Sequence, residues 1–111
     1  QPHILTIRVD ESLYFANARF LEDHLLARAT QQPQLRHVVL MCSAVNDIDM
    51  SALDSLEAVN KRLEDMGVSF HLSEVKGPVM DRLTGTEFLA QLTGKIFLSQ
   101  KLAMDQLSPL T

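Results

Sequence analysis

Apolar and polar positions change period several times along the chain, and each change marks an element. Residues 4–9 (Ile4, Leu5, Thr6, Ile7, Arg8, Val9) alternate as a strand does; Asp10, Glu11 and Ser12 supply turn chemistry before Leu13, Tyr14 and Phe15, which predicts an opening hairpin. Asn17 is a good helix N-cap, and Leu21, Leu25 and Ala29 then recur four residues apart, with Glu22, Asp23 and Arg28 left for water. Pro33 ends that pattern. Within 36–41, Val38, Val39, Leu40 and Met41 follow without a polar break, as a central parallel strand covered on both faces requires.

After a polar turn at Asn46, Asp47, Ile48 and Asp49, the clearest helical period runs over 51–66. Leu53, Leu56, Val59, Leu63 and Met66 recur at spacings of three and four, while Asp54, Glu57, Lys61, Arg62 and Glu64 take the other faces. Glu57 and Lys61 stand in the favourable i, i+4 order, and Gly67 is placed to end the helix in the left-handed conformation. Residues 68–72 read as another strand. Gly77 and Pro78 open a short helix with Val79 and Leu83 inside, Gly85 stops it, and a loop runs on through Thr93 and Gly94. Ile96, Phe97 and Leu98 predict a last short strand, and Ser99 caps a helix carrying Leu102, Ala103 and Leu107, ended near Pro109.

This order predicts one α/β domain over 1–111, with a mixed, mostly parallel sheet of about four to five strands and about four helices. Such sheets recognise partners in loops after the C-terminal ends of strands, and residues 42–50 form a loop of that kind. Composition agrees: 46% hydrophobic and 22% charged residues suffice for a core. The net charge of −4, with both signs interspersed, argues against a nucleic-acid partner, which needs a basic face. No apolar run approaches the ~20 residues that span a bilayer. The chain begins at Gln1 with no signal-like segment, so the expectation is a soluble piece cut from a longer protein. A single cysteine, Cys42, in an apolar run suits a reducing compartment.

The stretch Arg36-His37-Val38-Val39-Leu40-Met41-Cys42-Ser43-Ala44-Val45-Asn46-Asp47-Ile48-Asp49-Met50-Ser51-Ala52-Leu53 resembles the STAS signature of a hydrophobic strand, a polar turn ending in Ile-Asp, and a small-residue helix start. Leu13-Tyr14-Phe15-Ala16-Asn17-Ala18 is similar to the entry of the first helix in sulfate permease (SulP-type) transporters, and Val75-Lys76-Gly77-Pro78-Val79 to their third-helix start. The resemblance implies a non-catalytic regulatory and protein-interaction domain on the cytoplasmic side of the plasma membrane, carried by an integral membrane anion transporter. Its implied partners are the transporter membrane domain in the same chain, a second copy of the parent in a homodimer, and a soluble cytoplasmic protein. The alternative is a free-standing anti-sigma factor antagonist, in whose relatives a serine matching Ser51 is phosphorylated; here Met50 stands where a second Ser is usual and Ala52 where Gly is usual, which argues against the switch.

Read from the residues alone, Asp49, Met50, Ser51 and Ala52 form the candidate phospho-acceptor or anion-binding loop, because a helix N-terminus stabilises negative charge. The ordinary alternative is favoured: Ser51-Ala52-Leu53-Asp54 has the Ser-x-x-acid form of a helix cap, with Asp47 and Asp49 as turn and cap residues. Tyr14, Phe15, Phe88 and Phe97 are the candidate interface; for Tyr14, Phe15 and the nearby Phe20, packing against the first helix is the competing role. Cys42 and the histidines His3, His24, His37 and His71 show no ligand spacing or nucleophile motif, so neither a metal nor an enzymatic role is expected. No cofactor is expected either, since Gly77-Pro78 removes an amide donor where a phosphate loop would need one.

Overall fold

The computed structural model describes residues 2–110, without the side chain of Phe15. The elements in order are β1 (Ile4–Arg8), α1 (Phe15–Thr30), β2 (His37–Met41), α2 (Met50–Asp65), β3 (Ser69–Ser73), α3 (Gly77–Leu83), α4 (Glu87–Gln91), β4 (Ile96–Phe97) and α5 (Gln100–Leu107). The strands lie side by side in the order β1-β2-β3-β4, and every pair is parallel. β2 is the middle of this arrangement, which is why it can be apolar on both sides: Val38, Val39 and Leu40 are all fully buried.

Alternation along the strands separates two faces. Leu5, Ile7, Val38, Leu40, Phe70 and Leu72 join the large core with Leu25 of α1, Leu56, Val59 and Leu63 of α2, Leu83 of α3 and Phe88 of α4. Burying one such leucine fully contributes about 1.5–3 kcal/mol, so the α2 stripe is a main anchor of the fold. The opposite face meets α5, through a small cluster of Ile4, Val39, Phe97, Ala103 and Leu107. Ser99 caps α5 as expected, its Oγ accepting the Leu102 N–H at 3.0 Å.

The α/β architecture agrees with the expectation, with differences that have local causes. No hairpin forms at the start: Leu13 makes a single parallel bridge with Ile48, because Asp10 to Ser12 carry the chain across the end of β2 instead of turning it back. α1 begins at Phe15, so Asn17 lies within its first turn, where its Oδ1 accepts the Tyr14 N–H at 2.8 Å. The stretch after Gly85 is not all loop, since Thr86 caps α4 by accepting the Leu89 N–H at 3.2 Å. Buried Asn60 of α2 secures the chain at the end of α4: its Nδ2 donates to Gln91 O at 2.8 Å and its Oδ1 accepts the Thr93 N–H at 3.2 Å. Gly67 ends α2 with φ +76°, as its position suggested.

Candidate functional site

Residues 42–49 leave the C-terminal end of β2 and enter α2 as a ledge held from three sides. Beneath it, Leu13, Val45 and Ile48 are buried in the large core. On the β1 side, the Ser12 hydroxyl accepts the N–H groups of both Asn46 and Asp47, each at 3.1 Å. The Leu13 N–H donates to Asp47 O at 3.0 Å, and its carbonyl accepts the Asp49 N–H at 3.1 Å. On the α3 side, Lys76 Nζ donates to Asn46 Oδ1 at 2.6 Å and Arg82 Nη2 to Ile48 O at 2.8 Å. The Arg82–Asp47 ion pair, at 3.6 Å and half exposed, adds little beside these bonds. With these backbone groups paired, the ledge is tied to the chain on both sides of it.

At its end, Asp49 is the N-cap of α2: its Oδ1 accepts the Ala52 N–H at 2.8 Å. This corrects the expectation that Ser51 caps the helix. The helix begins one residue earlier than the period suggested, so Ser51 is its second residue and is exposed. Of the four residues singled out in this loop, Met50 (70% exposed) and Ser51 face solvent, whereas Ala52 (0% exposed) is core and cannot touch a partner. Ser51 opens onto a cleft of about 400 Å³ between α1 and α2, lined by Arg19, Glu22, Asp54, Ser55 and Ala58. Two carboxylates beside one guanidinium give that cleft no surplus of positive charge for an anion.

The aromatic interface divides. Tyr14 is exposed, and the side chain of Phe15 lies outside the described residues. Phe88 (0% exposed) is withdrawn from any interface, packed edge-to-face on Phe70 with ring centroids 6.2 Å apart. Phe97 is likewise buried in the α5 cluster. Phe88 sits in a stretch that read as loop, and Phe97 in a strand of two residues, so their packing partners were invisible in the sequence. Phe20, for which packing was the competing role, is instead 75% exposed and stacked on His24 at 6.4 Å. It borders a groove of about 410 Å³ along β1 that Arg8, Asp10, Glu11 and Leu21 also line. Leu98, out of phase with buried Phe97, is exposed and was not singled out.

Thiol chemistry does not fit this chain: burial pushes the Cys42 thiol up to about 12, far from the thiolate a nucleophile needs. The histidines are a different matter. His37 Nδ1 and His71 Nε2 are 3.1 Å apart, and the His3 ring lies 6.5 Å from that of His37, at the opposite end of the sheet from the ledge. Nevertheless, among the described residues no group of three or more His, Cys, Asp or Glu could hold a metal ion. Among those residues, too, no helix is long and apolar enough to cross a membrane.

Comparison with known proteins gives this geometry a setting. Sulfate transporter 1.3 of Arabidopsis thaliana is 32% identical over an alignment that covers 97% of this chain and 18% of the transporter. The murine Solute Carrier 26 family member A9 anion transporter superposes with a TM-score of 0.82 at 17% identity, over 96% of this chain and 18% of that one. A structure assigned as an anti-sigma factor antagonist from Thermotoga maritima superposes with a TM-score of 0.80 at 18% identity, over 96% and 88% of the two chains. The chain thus spans under a fifth of the transporters it matches and most of the antagonist's chain. The family model for the STAS domain matches residues 1–103, and the chain belongs to the STAS domain family.

Proposed function

We propose that this chain is the STAS domain of a SulP-type sulfate or anion transporter, a regulatory and docking module without chemistry of its own. Its partner is the membrane domain of the same protein, with a sister subunit and a soluble cytoplasmic protein as further binders, and it works on the cytoplasmic side. The observation that carries this reading is the 32% identity to a sulfate transporter along 97% of the chain. Fold likeness alone does not choose, since the transporter and the antagonist superpose about equally well. The ledge supplies the means: a fixed backbone presents Met50 and Ser51, with Tyr14 exposed at the start of the adjoining helix. Docking there alters transport only where it is tighter in one transport state than in another.

The test is Met50→Lys in the parent protein, read as sulfate uptake at matched surface abundance. Uptake falls severalfold while the isolated domain keeps its unfolding midpoint. Unchanged uptake, or a parent reading frame with no apolar spans upstream of Gln1, sinks the proposal.

The second reading, an anti-sigma factor antagonist switched by phosphorylation, is favoured by one feature: Ser51 is exposed and relieved of capping by Asp49. Against it stand Glu22 and Asp54 in the same cleft, which repel a phosphate.

A further inference from the structure

Three bonds in series cross the foot of the sheet beneath α5. The Lys95 N–H donates to His71 Nδ1 at 3.0 Å, His71 Nε2 lies 3.1 Å from His37 Nδ1, and His37 Nε2 lies 3.1 Å from the Leu110 carbonyl. The backbone fixes every proton in this chain of contacts. An amide can only donate, so His71 Nδ1 is bare and Nε2 carries the hydrogen; that hydrogen goes to His37 Nδ1, and His37 Nε2–H goes to the carbonyl. Both rings are therefore neutral, and both acceptor nitrogens are in use. A proton added to His71 meets the Lys95 N–H, and one added to His37 meets the His71 N–H. Gly94 lies against the His71 ring so closely that a Cβ there would collide with its Nδ1 and with the Phe70 carbonyl.

We propose that the His37–His71 pair is an acid-sensitive catch: while both rings are neutral it fastens the turn before β4 to the foot of the sheet, and uptake of one proton by His71 opens it, loosening that turn while α2 and the ledge stay folded.

The surroundings of His71 all push the same way. Burial, then the His37 charge, then Lys95 hold the His71 imidazole down, to about 4. Burial also lowers His37 and His3 adds to this, while the bond to the Leu110 carbonyl opposes. His3 precedes β1, Lys95 precedes β4, and the segment after α5 offers the carbonyls of Ser108 and Leu110. The charged pair on α5, Lys101 with Asp105, is exposed and bonded to itself. Among the described residues no carboxylate forms an ion pair with either ring. An opened His71 regains its ordinary value of 6.5, so the closed form binds protons less well than the open one. Closure is thus fully present above pH 6.5 and is lost as pH falls from there toward 4. Between pH 7.5 and 5 the closed-to-open ratio drops roughly thirtyfold from His71 alone.

The test is nitrogen-15 NMR of the 111-residue chain, which carries its own core. At pH 7.5, long-range imidazole correlations show His71 and His37 each protonated at Nε2 alone. On titration the amide of Lys95 shifts and gains mobility, with a midpoint below 6.5, while those of Ala52 and Leu53 in α2 stay put. In His71→Phe the turn at Lys95 is already mobile at pH 7.5 and does not respond to acid; should that variant not fold, the wild-type tautomers and titration decide. A proton on His71 Nδ1 at pH 7.5, or rings that titrate without moving the Lys95 amide, overturns the proposal.

Discussion

The two ends of the sheet are finished with different chemistry. At the C-terminal ends of the strands, the ledge is tied by backbone groups, the Ser12 hydroxyl, the Lys76 ammonium and the Arg82 guanidinium, none of which changes charge near neutral pH. At the foot, the His71 imidazole accepts the Lys95 amide and donates to His37, and it can do both only while the rings are neutral. The difference separates permanence from condition: the ledge is held by groups of constant charge, whereas the turn before β4 is held by an imidazole. Burial alone does not account for either design, since His71 is buried nearly as deeply as Leu13 and Ile48.

The contrast can be broken hardest at the foot. Gly94→Ala drives a methyl group into the Phe70 carbonyl and the His71 ring, where backbone on one side cannot yield. It should cost about 2–3 kcal/mol in urea unfolding and remove the protection of the Lys95 amide against exchange, with the ledge amides unaffected at low denaturant. A loss under half of that would mean the turn relaxes freely and the catch is not tightly built. At the ledge, Asp49→Ala removes the bond to the Ala52 N–H and should cost about 1 kcal/mol, by the same measurement. Ser51→Asp is the mildest change: an exposed second helical position tolerates a carboxylate, so stability stays within about 0.5 kcal/mol of the parent. A larger loss for Ser51→Asp than for Asp49→Ala would return the capping role to Ser51.

Much of the fold was legible because its signals are local. The stripe of Leu53, Leu56, Val59 and Leu63 marked α2, and the unbroken Val38 to Leu40 marked the central strand. The hidden part depends on register. His37 and His71 are 34 residues apart, and they meet only because β2 and β3 align Val39 with His71, which sets both rings on one face. The ledge loop was likewise visible, whereas the identity of its cap turned on one residue of helix start, an offset that periodicity does not resolve. Phe88 illustrates a third case: five residues of α4 make barely more than one turn, too short to display a period, although Thr86 was there to cap it.

The bridge between Leu13 and Ile48 gives the first strand a direct mechanical link to the second helix. The Ser12 hydroxyl and the Leu13 backbone, just beyond β1, bond to Asp47 and Asp49 directly, so the two chain segments are joined up to the cap of α2. Whatever shifts the segment after β1 therefore carries the start of α2, and the exposed Met50, with it as one body.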